Sequence, residues 1–206
     1  MQKRKIYVVG NVQAYSKWIN NHELTDKLEE ADIVLFTGGE DVDPSLYGCE
    51  KHPSTYSNLA RDLKEKEIFE KVKPNQVCLG ICRGSQFLCV MNGGLLIQNV
   101  VKHAIFGTHM IVNDVDEKYE ITSTHHQMQY PFNLAKGIDY TILYKSPTRS
   151  SVYEGDKINY PRCEPEIVLY HREGKPKCLA IQGHPEIMRP EAPVIKMLNK
   201  LIDELC

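Results

Sequence analysis

Several functional classes are excluded by what this sequence lacks. Its 206 residues set 25 lysines and arginines against 27 aspartates and glutamates, a formal net charge of −2, so no basic surplus exists to attract phosphate backbones. Nucleic-acid binding is disfavoured as the main role. No apolar run approaches the about 20 residues of a spanning helix, and Ile6–Val9 is shorter than the roughly 7–15 apolar residues of a secretory signal. The seven cysteines include no Cys-x-x-Cys pair, which argues against a zinc knuckle or a thioredoxin-type redox site. Free thiols without an export signal point to a reducing cytoplasm. No Gly-Lys-Ser/Thr follows the Gly38-Gly39 pair, which excludes a Walker-type nucleotide loop. Repeats, low-complexity tracts and Gly/Ser linkers are also missing, so residues 1–206 read as one domain.

What is present is an alternation of strands and helices. Short apolar runs at Lys5–Val9, Asp32–Phe36 and Val77–Ile81 suit buried strands. Helical spacing is found over Ser16–Glu30 (Trp18, Ile19, Leu24, Leu28), over Asn58–Val72 (Leu59, Leu63, Ile68, Phe69, Val72) and over Ser85–Asn92. The order predicts an α/β fold with a mostly parallel central sheet and helices on both faces. From Leu95 to Tyr170 the runs are short and strand-like, at Leu95–Gln98, His109–Val112, Tyr140–Tyr144 and Ile167–Tyr170, and predict small antiparallel additions at one edge. A last strand, Cys178–Gln182, leads to His184-Pro-Glu186. A helix with Pro193 in its first turn closes the chain.

Chemistry in open α/β sheets gathers at the carboxyl ends of the strands, and three motifs fall there. Gly80-Ile-Cys82-Arg-Gly84 has the spacing of a nucleophile elbow, in which flanking glycines admit a strained turn. The helix after it would favour a thiolate at Cys82. Cys78 and Cys89 lack such glycines and read as core residues. His184 and Glu186, two apart in an extended segment, would point to one side, with His184 as base and Glu186 holding its tautomer. Gly38-Gly39 ends a strand and can bring backbone N–H groups close to a ligand. The N–H groups of Gly39 and Arg83 are the candidate oxyanion donors.

Together these residues resemble the class I glutamine amidotransferase family, and within it the stand-alone branch of γ-glutamyl hydrolases such as the γ-glutamyl-γ-aminobutyrate hydrolases. The motifs that carry the resemblance are Gly38-Gly-Glu-Asp-Val-Asp-Pro44 with Tyr47-Gly48, Arg61-Asp62 with Glu65, and Leu79-Gly-Ile-Cys-Arg-Gly-Ser-Gln86 with Gly93-Gly94. Ser123 with His125-His126-Gln127 and Gln182-Gly-His-Pro-Glu186 complete the set. The resemblance implies the flavodoxin-like fold of that family, a Cys82–His184–Glu186 triad, and release of glutamate through a γ-glutamyl thioester. It places Gly38, Arg61, Gln86, Ser123, His125 and His126 around the glutamyl group. It implies no cofactor, and a small γ-glutamyl compound as partner. Arg61 and Glu65, one helical turn apart, equally read as a plain surface ion pair.

No metal ligands are assigned. His125 and His126 face opposite ways on a strand, without a carboxylate at ligand spacing. His103, His109 and Arg149 read as solvated side chains. Three features depart from the hydrolase branch: Gly183 stands where a tryptophan is usual, which suggests a more open wall beside the base; the chain is shorter than is typical, which suggests trimmed loops over the site; and residues 145–165 do not align. The leaving amine stays open between a γ-glutamyl amine and a nucleotide-linked glutamine such as the γ-glutamyl-CDP-amidate of capsule biosynthesis. The alternative is a glutaminase subunit that delivers ammonia to a separate synthetase.

Overall fold

Runs such as Val77-Cys-Leu-Gly-Ile81 are apolar throughout and too short for a core helix, and they become strands covered on both faces. The computed structural model describes residues 3–206, without the side chains of Asn11 and Phe106. In chain order the elements are β1 (Arg4–Val8), β2 (His22–Leu24), β3 (Ile33–Phe36), α1 (Leu59–Lys71), β4 (Val77–Ile81) and α2 (Arg83–Met91). There follow β5 (Leu95–Ile97), β6 (Asn99–Val100), β7 (Ala104–Val112), β8 (Lys118–Thr124), β9 (Met128–Tyr130) and β10 (Asp139–Ser146). The chain closes with β11 (Tyr153–Glu154), β12 (Glu164–His171), β13 (Lys177–Ile181) and α3 (Pro193–Leu205).

Nine strands form one sheet in the order β2-β1-β3-β4-β13-β12-β10-β7-β8. The first five run parallel, and the four at the other side pair antiparallel. Two small ribbons, β5–β9 and β6–β11, lie outside it. Side chains alternate between the faces as the pleat requires. Ile33, Leu35, Leu79, Ile81, Leu179 and Ile181 pack against Val194, Ile195, Leu198 and Ile202 of α3. Val34, Phe36, Cys78 and Ala180 pack on the opposite face against Phe69 of α1 and Phe87 and Leu88 of α2. Among the described residues no helix is long and apolar enough to cross a membrane.

Two expectations fail. Ser16–Glu30 is not a helix: it holds the end of a 3₁₀ turn (Gln13–Ser16), then β2, then a second 3₁₀ turn (Leu28–Glu30). Trp18 and Ile19 do reach the core, but the Asn20-Asn21-His22 stretch is a poor helix former, and Asn21 adopts a left-handed φ of 48°. In α1, Leu59 and Leu63 are exposed, and the buried positions of its first turns are Asp62 and Glu65. The helix turns its carboxylates inward because they meet a buried cation there, the guanidinium of Arg83.

Candidate active site

Cys82 stands between β4 and α2 with φ 52° and ψ −111°, a conformation that a side-chain-bearing residue holds only where its surroundings impose it. Those surroundings are visible. The Cys82 N–H donates to Ile181 O at 2.8 Å, tying the bend to β13. A Cβ on Gly80 would stand 2.5 Å from the carbonyl oxygen of Gly84, and one on Gly84 would collide with the carbonyl of Phe36. The elbow is thus feasible only with glycine at both flanks. Helix α2 begins at Arg83, so its first N–H groups lack helical partners and its positive end lies beside the sulfur.

Strand β13 runs parallel to β4 with Ile181 opposite Ile81, so the residues just beyond each strand meet. The His184 Nδ1–H donates to Glu186 Oε1 at 2.7 Å. Residues 184–186 are not extended as expected; Pro185–Ile187 is a 3₁₀ turn that folds the carboxylate back under the ring. Thr122 on β8 clamps the His184 backbone, its hydroxyl accepting from His184 N–H at 2.8 Å and donating to His184 O at 2.9 Å. Burial disfavours a charge on His184, but hydrogen bonding to Cys82 and Glu186 outweighs it and pushes the imidazole up to about 10. Such a pair can hold a thiolate against an imidazolium. Tyr15 lies beside it, ring centroids 6.4 Å apart; burial, then Glu186 and Cys82, push its hydroxyl up.

A cavity of ≈ 200 Å³ opens onto Cys82, lined among others by Gly39, Asp41, Tyr56, Gln86, His126 and Gln127. A larger one of ≈ 620 Å³ lies against β1 and the Leu24–Lys27 stretch, away from the sulfur. Gly39 has a left-handed φ of 137°, and a Cβ there would collide with the Arg61 guanidinium. Gly38 sits behind it, against the Tyr15 hydroxyl and the His184 ring.

Several predicted contacts have other partners. Arg61 binds Glu65 at 2.8 Å and Gly38 O at 3.0 Å, so it braces the glycine turn, and its pairing with Glu65 is a half-buried one. Gln86 is buried and donates to Gln127 O at 3.0 Å. Ser123 is fully buried and donates to His103 O, which removes it from the cavity wall. The His125 side chain turns away to Glu166, whereas His126 stays at the cavity, 3.1 Å from Asp41. The Arg83 side chain is buried between Asp62 and Glu65, leaving only its backbone for an oxyanion.

Three further readings are corrected. His103 is buried and His109 nearly so, because antiparallel pairing carries them inward against β12. Arg149 is held by the carbonyls of Pro161 and Arg162 and lies over the rings of Tyr153 and Tyr160. Gly183 opens no wall: a Cβ there would stand 2.6 Å from Ile121 and from the Thr122 carbonyl, so β8 occupies the place of a side chain. Sequence reasoning missed Thr122 and Tyr15, which no local pattern marks. The pairing of Asp62 with Arg83 was legible only as two separate charged residues.

The family model described as Peptidase C26 matches residues 13–138. Protein NtpR of Enterococcus hirae is 32% identical over 123 residues, 48% of this chain and 52% of the relative. A provisionally named glutamine amidotransferase of Mycobacterium tuberculosis is 28% identical over 173 residues, 83% of this chain and 56% of the relative. The chain thus spans about half the length of these relatives. The crystal structure of a glutamine amidotransferase from Thermotoga maritima superposes with a TM-score of 0.50 at 13% identity, covering 100% of this chain and 95% of the other.

Proposed function

The chain belongs to the Peptidase C26 family, and from that premise we propose that it is a cysteine amidohydrolase that cleaves the γ-glutamyl amide of a small metabolite. The observation that carries this reading is the strained Cys82 elbow placed against the His184–Glu186 pair at the ends of two adjacent parallel strands. The roles of the residues follow from that arrangement.

The Cys82 thiolate attacks the γ-carbonyl carbon, and the N–H groups of Gly39 and Arg83 receive the oxyanion. Collapse breaks the C–N bond, and the imidazolium of His184 gives its proton to the departing amine. A γ-glutamyl thioester remains on Cys82. His184, now neutral, takes a proton from water as the oxygen attacks the thioester; the sulfur leaves and glutamate is released. Glu186 keeps the Nε2 edge of His184 aimed at the sulfur by accepting from Nδ1.

The cavity suits this division of the substrate. At ≈ 200 Å³ it is smaller than the roughly 300–1,000 Å³ of pockets that engulf drug-sized ligands. It accommodates an amino-acid-sized acyl group and leaves the amine outside. Gln86, Asp41 and His126 offer polar atoms to the α-amino and α-carboxyl groups, in place of Ser123 and the His125 ring.

The test is glutamate release by the purified chain from glutamine, γ-glutamyl amines and γ-glutamyl-CDP-amidate, with Cys82→Ala as control. We expect at least one amide to be cleaved much faster than glutamine and Cys82→Ala to be inactive. Substantial turnover by that variant overturns the assignment. Slow glutaminase activity that rises only when a synthetase is added supports the ammonia-delivering alternative instead.

A further inference from the structure

Four side chains from separate parts of the antiparallel half converge beneath the cavity wall. They are His103, just before β7, His109 on β7, His125, just after β8, and Glu166 on β12, with their facing atoms all within 4.8 Å of one another. Glu166 Oε1 lies 3.4 Å from His103 Nδ1 and 3.7 Å from His125 Nε2, and its Oε2 lies 3.4 Å from His109 Nε2. All five atoms are shielded from solvent, and none makes a hydrogen bond. Buried polar atoms are almost always paired, and a buried carboxylate with no hydrogen bond to either oxygen is costly. Their convergence calls for one shared partner.

The spacing says what kind. Zinc binds imidazole nitrogen and carboxylate oxygen at about 2.0–2.2 Å, which puts neighbouring donors of a tetrahedron about 3.3–3.5 Å apart. The three nitrogen-to-carboxylate separations, 3.4–3.7 Å, lie near that edge length and exceed the roughly 2.7–3.2 Å of an ordinary hydrogen bond. The outer contacts already select the ligating tautomers. His125 Nδ1–H donates to Gln127 O at 2.9 Å, leaving Nε2 as the free lone pair. His103 Nε2–H points at Glu164 Oε2, 3.3 Å away, leaving Nδ1 inward. Carboxylate or carbonyl groups behind ligating histidines are the usual way such rings are oriented. Glu164 is in turn held by Ser150 N–H and the Tyr153 hydroxyl. With neutral imidazoles, two positive charges at the centre balance the carboxylates of Glu166 and Glu164.

We propose that His103, His109, His125 and Glu166 form a structural site for a divalent transition metal, zinc first. Three imidazoles and one carboxylate suit zinc and disfavour magnesium or calcium, which take oxygen ligands. Four protein donors in a closed setting mark a structural site, since a catalytic zinc keeps a position for water. The metal would join β7, β8 and β12 and fix the 124–127 segment, which lines the same cavity as Cys82. This site is independent of the hydrolase reading; the metal takes no part in that chemistry.

The experiment is metal analysis and cobalt substitution on the purified full chain. Grown with zinc and dialysed, the protein is expected to hold about one zinc per chain. Stripped with chelator and titrated with Co²⁺, it should show the intense visible bands of tetrahedral cobalt, saturating at about one equivalent. Its Tm should rise with zinc and fall with chelator. Glu166→Gln, which keeps the side-chain volume, and His109→Asn, at the least buried ligand, should each weaken zinc at least about tenfold against a chromophoric chelator. Two results overturn the proposal. One is folded wild-type protein that takes up neither metal; the other is a folded variant of either kind that binds zinc as tightly as wild type. If one variant fails to fold, the other and the cobalt titration still decide.

Discussion

Replacing Arg83 with methionine tests how the elbow is held in place. Arg83 is 1% exposed and its guanidinium pairs with Asp62 and Glu65, themselves 0% and 4% exposed. Methionine keeps much of the aliphatic stem but leaves both carboxylates without that cation. Removing one partner of a buried ion pair costs about 3–5 kcal/mol, because the other charge stays buried. Arg61 still neutralises part of Glu65, so Asp62 is the stranded group and the lower figure applies, about 3 kcal/mol. At about 2–4 °C per kcal/mol for a chain of this size, Tm should fall by about 6–12 °C. Burial already pushes the Asp62 carboxyl up, against the pull of Arg83. Without Arg83 its folded value rises further above the unfolded value of about 3.9. The deficit should therefore be small below that unfolded value and grow as pH rises through the folded one. Urea unfolding followed by the fluorescence of Trp18, the single tryptophan, reads this out across pH. Adding Asp62→Asn to Arg83→Met should recover part of the loss. A loss under about 1 kcal/mol, a deficit flat in pH, or a double variant weaker than the single one would refute the reasoning.

Two further outcomes follow from the site. Gly84→Ala would drive a Cβ into the carbonyl of Phe36, so α2 must back away from β3; we expect about 1–3 kcal/mol lost and turnover down about 100-fold, and an unaltered urea midpoint with wild-type kinetics would contradict it. In Cys82→Ala, burial still disfavours the His184 charge while the contribution of the sulfur is gone, so the ring should titrate below the wild-type value of about 10. The stability drawn from that raised value, present below about 6.5 and lost as pH rises through the folded value, should shrink with it. Titration of the His184 ring protons by NMR measures this, and an unchanged curve would separate the two residues.

The parts of the site that rest on short-range pattern were legible. Gly80, Cys82 and Gly84 specify their own turn, β4 and β13 lie within a residue of the expected bounds, and α3 carries Pro193 in its first turn as expected. What escaped depends on partners far away in sequence. His103 and His109 read as solvated, His125 as a substrate contact, and Glu166 draws no reading; the four become a cluster only through the pairing of β7 with β8 and of β12 with β10. Asp62 and Glu65 look like surface charges on α1 until Arg83 is placed beneath them. Ser16–Glu30 misled for the opposite reason: its apolar spacing was helical by coincidence, while its polar middle forms an edge strand beside β1.

The bridge from Cys82 N–H to Ile181 O, at the end of the β4–β13 ladder, has a mechanical consequence. Sulfur and imidazole are spaced by the pitch of two neighbouring strands in the middle of the molecule, so no hinge has to swing to assemble them. In the proposed chemistry any rearrangement would fall to the segments around the cavity mouth, because Cys82 and His184 both follow the ends of buried core strands.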